Sequence, residues 1–475
     1  MALARRGDDG VDGTDRFKVA TPQLVEPSLE PTLGGGAASA EPDAAAHRRP
    51  WSVGNLAHGH IWHGPGLLRR AAHGARQAPL ATALAVLVLV GVVGPLLWLR
   101  LYARADFRMV DLAVYRAAGE SLVHGRPLYG YLTPVPQLLP FTYPPFSAIV
   151  ALPLAFMSAQ AANWVWTLGT LFVLGWLVMV GFRPFVRRFP STYRPLVLCV
   201  LLAAMAWTLP VRDCFRYGQV GIFLAALCVL DCVLPKTRWP RGMMIGLAAA
   251  VKLVPGVFIP YLWLTNRKRA AVVATLWFVG VSVATAIAMP QASKQYWTSA
   301  LFDSDRLGSN ANTSNQSVRG AFLRVLPGNL GSALWVIAAV VVVIAAYRWA
   351  RGASLSGFEV RGIAIVGLLS VLVSPVSWIH HLAGWIPLTI GVVVGDGRNR
   401  RRLLYALLGT VFFSLEIPWW GNSIVNKYPH FHVPGRLLQD AFLFGVLFAV
   451  WLLGRMESPS RVRMSATRER ERVSR

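Results

Sequence analysis

The feature that most constrains this chain is the recurrence of apolar runs along nearly its whole length. A run of 18 or more apolar residues is long enough to cross a bilayer as a helix. Such runs begin at Pro79 and recur to about Leu453. Within hydrocarbon the backbone must satisfy its own hydrogen bonds, and a helix does so within one segment. Of the 475 residues, 55% are hydrophobic and only 15% charged, against about 25% charged in soluble domains. The chain therefore reads as one all-α polytopic membrane domain over 78–454. It is flanked by a disordered cytoplasmic N-terminal tail, 1–77, and a basic cytoplasmic C-terminal tail, 455–475.

The formal net charge is +25. A balance of this kind can signal nucleic-acid binding. Here the basic residues sit between apolar runs and at the two ends, the pattern of cytoplasmic loops, so no nucleic-acid partner is expected. Of the four cysteines, Cys228 and Cys232 stand one helical turn apart with no histidine or further cysteine beside them. They read as buried packing residues, without a metal and without a disulfide framework.

The positive-inside rule orders the runs. Arg69, Arg70 and Arg76 precede the first span, Pro79 to about Tyr102, and put its start in the cytoplasm. The chain then lies outside from Asp106 to Thr142. Later basic clusters, Arg183 to Arg188, Lys236 to Arg241, Arg348 with Arg351, and Arg398 to Arg402, mark inner turns. The run Gly242 to Leu264 has basic residues at both ends. A hairpin of two short helices breaking near Lys252 and Pro255 satisfies the rule where a single crossing violates it. The total is about twelve membrane segments with both termini inside. No internal repeat is visible, which argues against a transporter of inverted halves.

Five polar clusters fall on the expected outer side. Asp111 opens the helix-like stretch DLAVYRAAGESLVHGRPLYG. It is a candidate general base for a sugar hydroxyl beside the bilayer, or a helix cap. Arg212, Asp213, Arg216 and Gln219 share one turn, where arginines suit a phosphate and also suit interfacial anchoring. Lys252 stands inside the apolar stretch AAAVKLVPGVF, where an isolated ammonium is costly and a lipid phosphate is a natural partner. His380 and His381, in SPVSWIHH, suit phosphate contact or proton transfer. Asn315, Gln316 and Arg319, in SNANTSNQSVRG, suit sugar hydroxyls and a phosphate, or form an ordinary polar loop. No Asp-x-Asp on the outer face offers a site for a metal diphosphate. The convergence favours a site at the outer leaflet.

In order along the chain, DLAVYRAAGESLVHGRPLYG, TYPPFSAIVALPLAFM, YGQVGIFLAALCVLD, AAAVKLVPGVF, SNQSVRG and SPVSWIHH resemble the bacterial α-1,2-mannosyltransferases of glycosyltransferase family 87. The resemblance runs from Pro79 to Leu453. It implies the GT-C membrane fold, a polyprenyl-phosphate mannose donor, and a mannosylated lipid or lipoglycan acceptor. The implied transfer is inverting and metal-independent, needs no cofactor, and takes place on the outer side of the plasma membrane. Asp111 matches the aspartate that serves such enzymes as base. Arg212, Arg216, Lys252, His380, His381, Asn315, Gln316, Arg319 and Tyr143 are the expected donor and sugar contacts. The alternatives are a GT-C transferase using another polyprenyl-phosphate sugar, such as arabinose or glucose, and, in a different class, a lipid or solute transporter.

Overall fold

A computed structural model describes residues 79–456, apart from 96, 99–108, 135–137, 304–305, 307 and 327. The expected N-terminal tail lies outside the described residues. So do all but the first two positions of the C-terminal tail, and Asp106 at the start of the first outer loop. Among the described residues the regular structure is helical, relieved by two isolated bridges, Leu132 with Pro140 and Asn315 with Trp378.

The helices run in the order α1 (Pro79–Val88), α2 (Val110–Val123), α3 (Pro145–Ala155), α4 (Ala159–Val186), α5 (Arg194–Ala206), α6 (Leu209–Tyr217) and α7 (Gly221–Val233). There follow α8 (Met243–Val251), α9 (Phe258–Leu264), α10 (Lys268–Ala288), α11 (Pro290–Gln295), α12 (Val318–Val325) and α13 (Gly328–Leu355). The series closes with α14 (Glu359–Val373), α15 (Trp385–Val394), α16 (Arg400–Ser414), α17 (Ile417–Lys427), α18 (His432–Gln439) and α19 (Ala441–Arg455).

By length and apolarity, four stretches among the described residues can cross a bilayer: α4, α10, Leu330–Leu355 within α13, and Pro429–Arg455, which carries α18 into α19. Two bent pairs, α5 with α6 at 78° and α16 with α17 at 50°, raise the number to six if each is one span. The other apolar runs are helices of 10–17 residues, which at 1.5 Å per residue fall short of an apolar thickness of about 30 Å. Proline and glycine cut the runs into these pieces. On the long helices large apolar side chains face outward: Phe172 of α4 is 79% exposed and Ile287 of α10 is 78% exposed. A helix face of this kind suits contact with lipid.

The centre of the bundle is α14 and α15. Residues Val360 to Leu372 of α14 and all of α15 are buried, as befits helices apolar on every side. Close approach is set by glycines. Gly391 of α15 lies against the backbone of Gly181 on α4, and Gly362 of α14 against the carbonyl of Ala350 on α13. Cys228 and Cys232 are buried in α7.

The segment from Gly242 to Leu264 doubles back. Gly242 lies against the Ala270 carbonyl, and Gly246 against Ala274 and Trp277, so α8 runs alongside α10 in the same direction. Then α9 ends at Leu264, just before α10 begins at Lys268. Both ends of the segment therefore sit at one end of α10, with Lys252 at the turn. The Asp231 carboxylate fixes the first end, accepting from the backbone N–H groups of Gly242 at 2.9 Å and Ile245 at 3.2 Å. These are donors that the start of α8 leaves unpaired.

Candidate active site

The site is assembled where the start of α2 meets the end of α6. The sequence Tyr217-Gly218-Gln219 stops α6, because Gly218 takes the left-handed conformation at φ 72° and its N–H closes on the Cys214 carbonyl. A Cβ at Gly218 would lie 2.7 Å from Leu112 Cβ and 2.9 Å from Met109 Sδ, so α2 packs onto a position that tolerates no side chain. Met109, itself left-handed at φ 48°, donates its N–H to the Arg216 carbonyl at 2.9 Å. The interlock brings Asp111 to Gln219, whose Nε2 donates to Asp111 Oδ2 at 2.6 Å.

From Gln219 the contacts continue. Tyr115 Oη donates to Gln219 Oε1 at 3.3 Å and lies 2.9 Å from Tyr143 Oη. The Tyr143 ring centroid is 5.1 Å from Lys252 Nζ, a cation over an aromatic face. Lys252 Nζ is 3.1 Å from His381 Nε2, and His381 stacks edge-on to His380 with ring centroids 4.9 Å apart. His380 meets the Tyr217 ring at 5.5 Å, which returns the circuit to α6. Both ring nitrogens of His380 are buried without a hydrogen-bond partner among the described residues.

All of these groups except Tyr115, which stands behind Gln219 and Tyr143, line a cavity of about 810 Å³, together with Arg306, Arg319, Asp303, Asn312, Ser314, Trp335, Trp378 and Trp419. The volume suits a sizeable polar ligand. Burial pushes the Asp111 carboxyl up to about 6, with the Gln219 hydrogen bond and the Lys252 charge opposing that rise. A carboxylate tuned in this way accepts a proton near neutral pH.

The structure brings together six of the expected contacts: Asp111, Tyr143, Lys252, His380, His381 and Arg319 all line the cavity. Four others lie elsewhere. Arg212 points away, with Nη2 donating to the Ser414 carbonyl at 3.0 Å and standing 3.6 Å from Glu416. Arg216 has its guanidinium 5.4 Å from the Tyr217 ring centroid, and it is its backbone carbonyl that meets α2. The expected phosphate-binding turn is in fact the helix α6, whose turns send these side chains to a different face. Asn315 and Gln316 are fully buried structural amides. Asn315 Oδ1 accepts from Ser377 N at 2.9 Å, and Gln316 Nε2 donates to the Gln439 carbonyl at 2.9 Å. The Asn315 amide holds the segment that leads into Trp378 to His381, and the Gln316 amide ties the loop to Gln439 and Leu443.

Sequence reasoning missed Tyr115, Tyr217 and Arg306, and read Gln219 only as a member of the arginine turn. For Gln219 a signal was present, the glycine before it as a helix stop. For Arg306 there was none: it reaches the cavity through a loop, with Nη2 donating to the Tyr129 carbonyl at 3.1 Å.

Comparison with known proteins gives a concordant picture. The sequence model of glycosyltransferase family 87 matches residues 141–375. The chain is 35% identical over 342 residues to the polyprenol-phosphate-mannose-dependent alpha-(1-2)-phosphatidylinositol mannoside mannosyltransferase of Mycobacterium tuberculosis, covering 68% of this chain and 79% of that protein. It is 33% identical over 389 residues to the protein of the same description from Mycolicibacterium smegmatis, covering 74% and 86%. With the M. smegmatis polyprenol-phosphate-mannose-dependent alpha-(1-2)-phosphatidylinositol pentamannoside mannosyltransferase it shares 35% identity over 346 residues, covering 70% and 81%. No solved structure gives a significant match.

Proposed function

The chain belongs to glycosyltransferase family 87, and from that premise we propose that it transfers mannose from polyprenyl-phosphate mannose to the 2-hydroxyl of a mannosylated phosphatidylinositol or related lipoglycan. The observation that carries the reading is the Asp111 carboxylate, held at 2.6 Å by Gln219 and facing the same cavity as Lys252, His380 and His381. A base and a cationic group across one cavity are what transfer from a lipid phosphate requires.

In this reading Asp111 takes the proton of the acceptor hydroxyl. The oxygen forms a bond to the anomeric carbon from the face opposite the phosphate, the carbon–oxygen bond to phosphate breaks, and configuration inverts. The polyprenyl phosphate leaves carrying the bond's electrons. Lys252 answers the charge that develops on it, with the histidines beside it. Arg319 supplies a second cation to the cavity. The donor's lipid tail and the acceptor's lipid anchor both enter from the membrane.

The proposal includes the arrangement in the membrane. The catalytic domain, 78–454, has about a dozen membrane segments, several of them half-length or doubled back. Both termini are cytoplasmic and the cavity faces the outer side of the plasma membrane. The positive-inside distribution of arginine and lysine supports this orientation.

The test uses membranes containing wild type or Asp111→Asn, labelled polyprenyl-phosphate mannose and a mannosylated phosphatidylinositol acceptor, with expression and folding measured in parallel. Transfer by wild type alone supports donor, reaction and base together. Equal transfer by both removes Asp111 as the base. No transfer by either rejects this donor and acceptor pair, and polyprenyl-phosphate arabinose and glucose are then assayed in its place.

A further inference from the structure

Gln219 is almost fully buried, and its contacts fix a direction. A carboxylate only accepts hydrogen bonds, so the amide must present Nε2 to Asp111 Oδ2, as the 2.6 Å contact requires. Its Oε1 then faces Tyr115, whose hydroxyl has to donate across the 3.3 Å contact. With that proton committed, the 2.9 Å contact between the two hydroxyls is satisfied only if Tyr143 donates to Tyr115. The chain Tyr143 to Tyr115 to Gln219 to Asp111 is therefore polarised throughout toward the carboxylate. Hydrogen bonds aligned in this way strengthen one another in a low-dielectric site.

Three separate elements supply the chain. Asp111 and Tyr115 are one turn apart on α2, Gln219 follows α6, and Tyr143 precedes α3. Among the described residues the hydrogen bond to Asp111 comes from Gln219 alone. Oδ2 is thereby held, and Oδ1 is the oxygen left to meet a substrate hydroxyl.

Resting on the proposed mannosyl transfer, we propose that Gln219 is the positioning residue of the base, with Tyr115 and Tyr143 locking its amide. It fixes which carboxylate oxygen the acceptor meets and holds the carboxylate in its ionised form. The other titratable groups facing Asp111 are Lys252 at the α8–α9 turn, Tyr115 on its own helix, Tyr143 before α3 and Cys214 on α6. Each of these stays in place in the variants below, apart from the hydroxyl removed in Tyr115→Phe.

The experiment is a pH profile of kcat/KM for wild type, Gln219→Leu, Gln219→Glu and Tyr115→Phe in membranes. In Gln219→Leu the acidic limb moves up by about one to two pH units, the size of a hydrogen bond to a charged group, so that transfer lost at pH 7 is recovered at higher pH. Gln219→Glu sets two carboxylates against each other and moves the limb further up. Tyr115→Phe moves it in the same direction by less, because the bond to Asp111 survives. A structural role alone would scale activity down at every pH and leave the limb where it is; that result overturns the proposal. A second readout needs no transfer and remains valid if the mannosyl reading fails. The melting temperature of the purified protein is compared with and without Asp111→Asn across pH, in the wild-type and Gln219→Leu backgrounds. The titration midpoint of that difference rises in Gln219→Leu if Gln219 holds the ionised form, and coincides in the two backgrounds if it does not.

Discussion

Lys252 and His381, 129 positions apart in the chain, meet through Nζ and Nε2 at 3.1 Å on the cavity wall. An ammonium has only donors, so His381 must offer Nε2 as an acceptor and carry its proton on Nδ1. A charged lysine and a neutral imidazole therefore share this wall, with the Tyr143 ring beneath the ammonium.

Lys252→Met removes the cation whose charge bears on Asp111. Transfer is expected to fall by about 10²–10³-fold in kcat, the effect of losing one preorganised group that meets developing charge. The Lys252 charge also opposes the rise in the Asp111 pKa. The acidic limb of the variant's residual activity should therefore sit above that of wild type. Initial rates at varied donor concentration and pH measure both.

For wild type, kcat/KM should rise with pH and level off above about 6, because Asp111 must be ionised to accept a proton and burial pushes its carboxyl up to about 6. The sign for stability is opposite. A carboxyl raised from 3.8 to about 6 on folding favours the protonated form, so Asp111's contribution to stability is present at low pH and lost as pH rises through about 6. Asp111→Asn should lack this pH-dependent loss. A pH series of activity assays and thermal melts checks the two together.

Arg324 and Asp440 form a buried ion pair, and Arg324 also donates to the carbonyls of Asn312 at 2.8 Å and Asn315 at 2.9 Å. Asp440→Asn strands the guanidinium and should cost about 3–5 kcal/mol. Replacing both partners with apolar residues, Arg324→Met with Asp440→Leu, should cost less than the single change. Thermal unfolding of the purified variants gives the comparison.

Gly218→Ala adds a methyl at φ 72° against Leu112 and Met109. The left-handed conformation alone costs a non-glycine residue roughly 1–2 kcal/mol, and the contact pushes α2 off α6. Activity should fall more than stability, because the methyl separates Asp111 from Gln219. Transfer rate and melting temperature measured on the same preparation distinguish the two.

Arg212→Gln should leave kcat/KM within about threefold of wild type, the range of changes away from special contacts. Its partner Glu416 is more than half exposed and 3.6 Å away, and Arg212 is not part of the cavity lining. A loss like that of Lys252→Met would put Arg212 in the donor site after all.

Much of the fold and part of the site were legible because they are local properties. Apolar runs report membrane helices directly, since lipid rewards each residue for its own polarity. Lys252 inside an apolar run and Asp111 at the head of a polar helix stood out because a charge there is costly wherever the neighbours lie. The number of full-length spans was less legible: between α5 and α6 the backbone turns at Trp207, where no charged residue marks the bend.

What the sequence by itself determined is the class of the protein, a helical membrane glycosyltransferase of family 87, and the residue types available for a site. What only the tertiary structure decided is which of them meet. Arg212 and Lys252 are alike as cations expected at the donor phosphate, yet one closes on a carbonyl of α16 and the other on His381. Asn315 looks like a sugar ligand in the sequence and is a buried tie. The direction of a side chain follows from helix phase and from close approach at glycines such as Gly218 and Gly246. Those contacts join residues far apart in the chain, and no local pattern carries them.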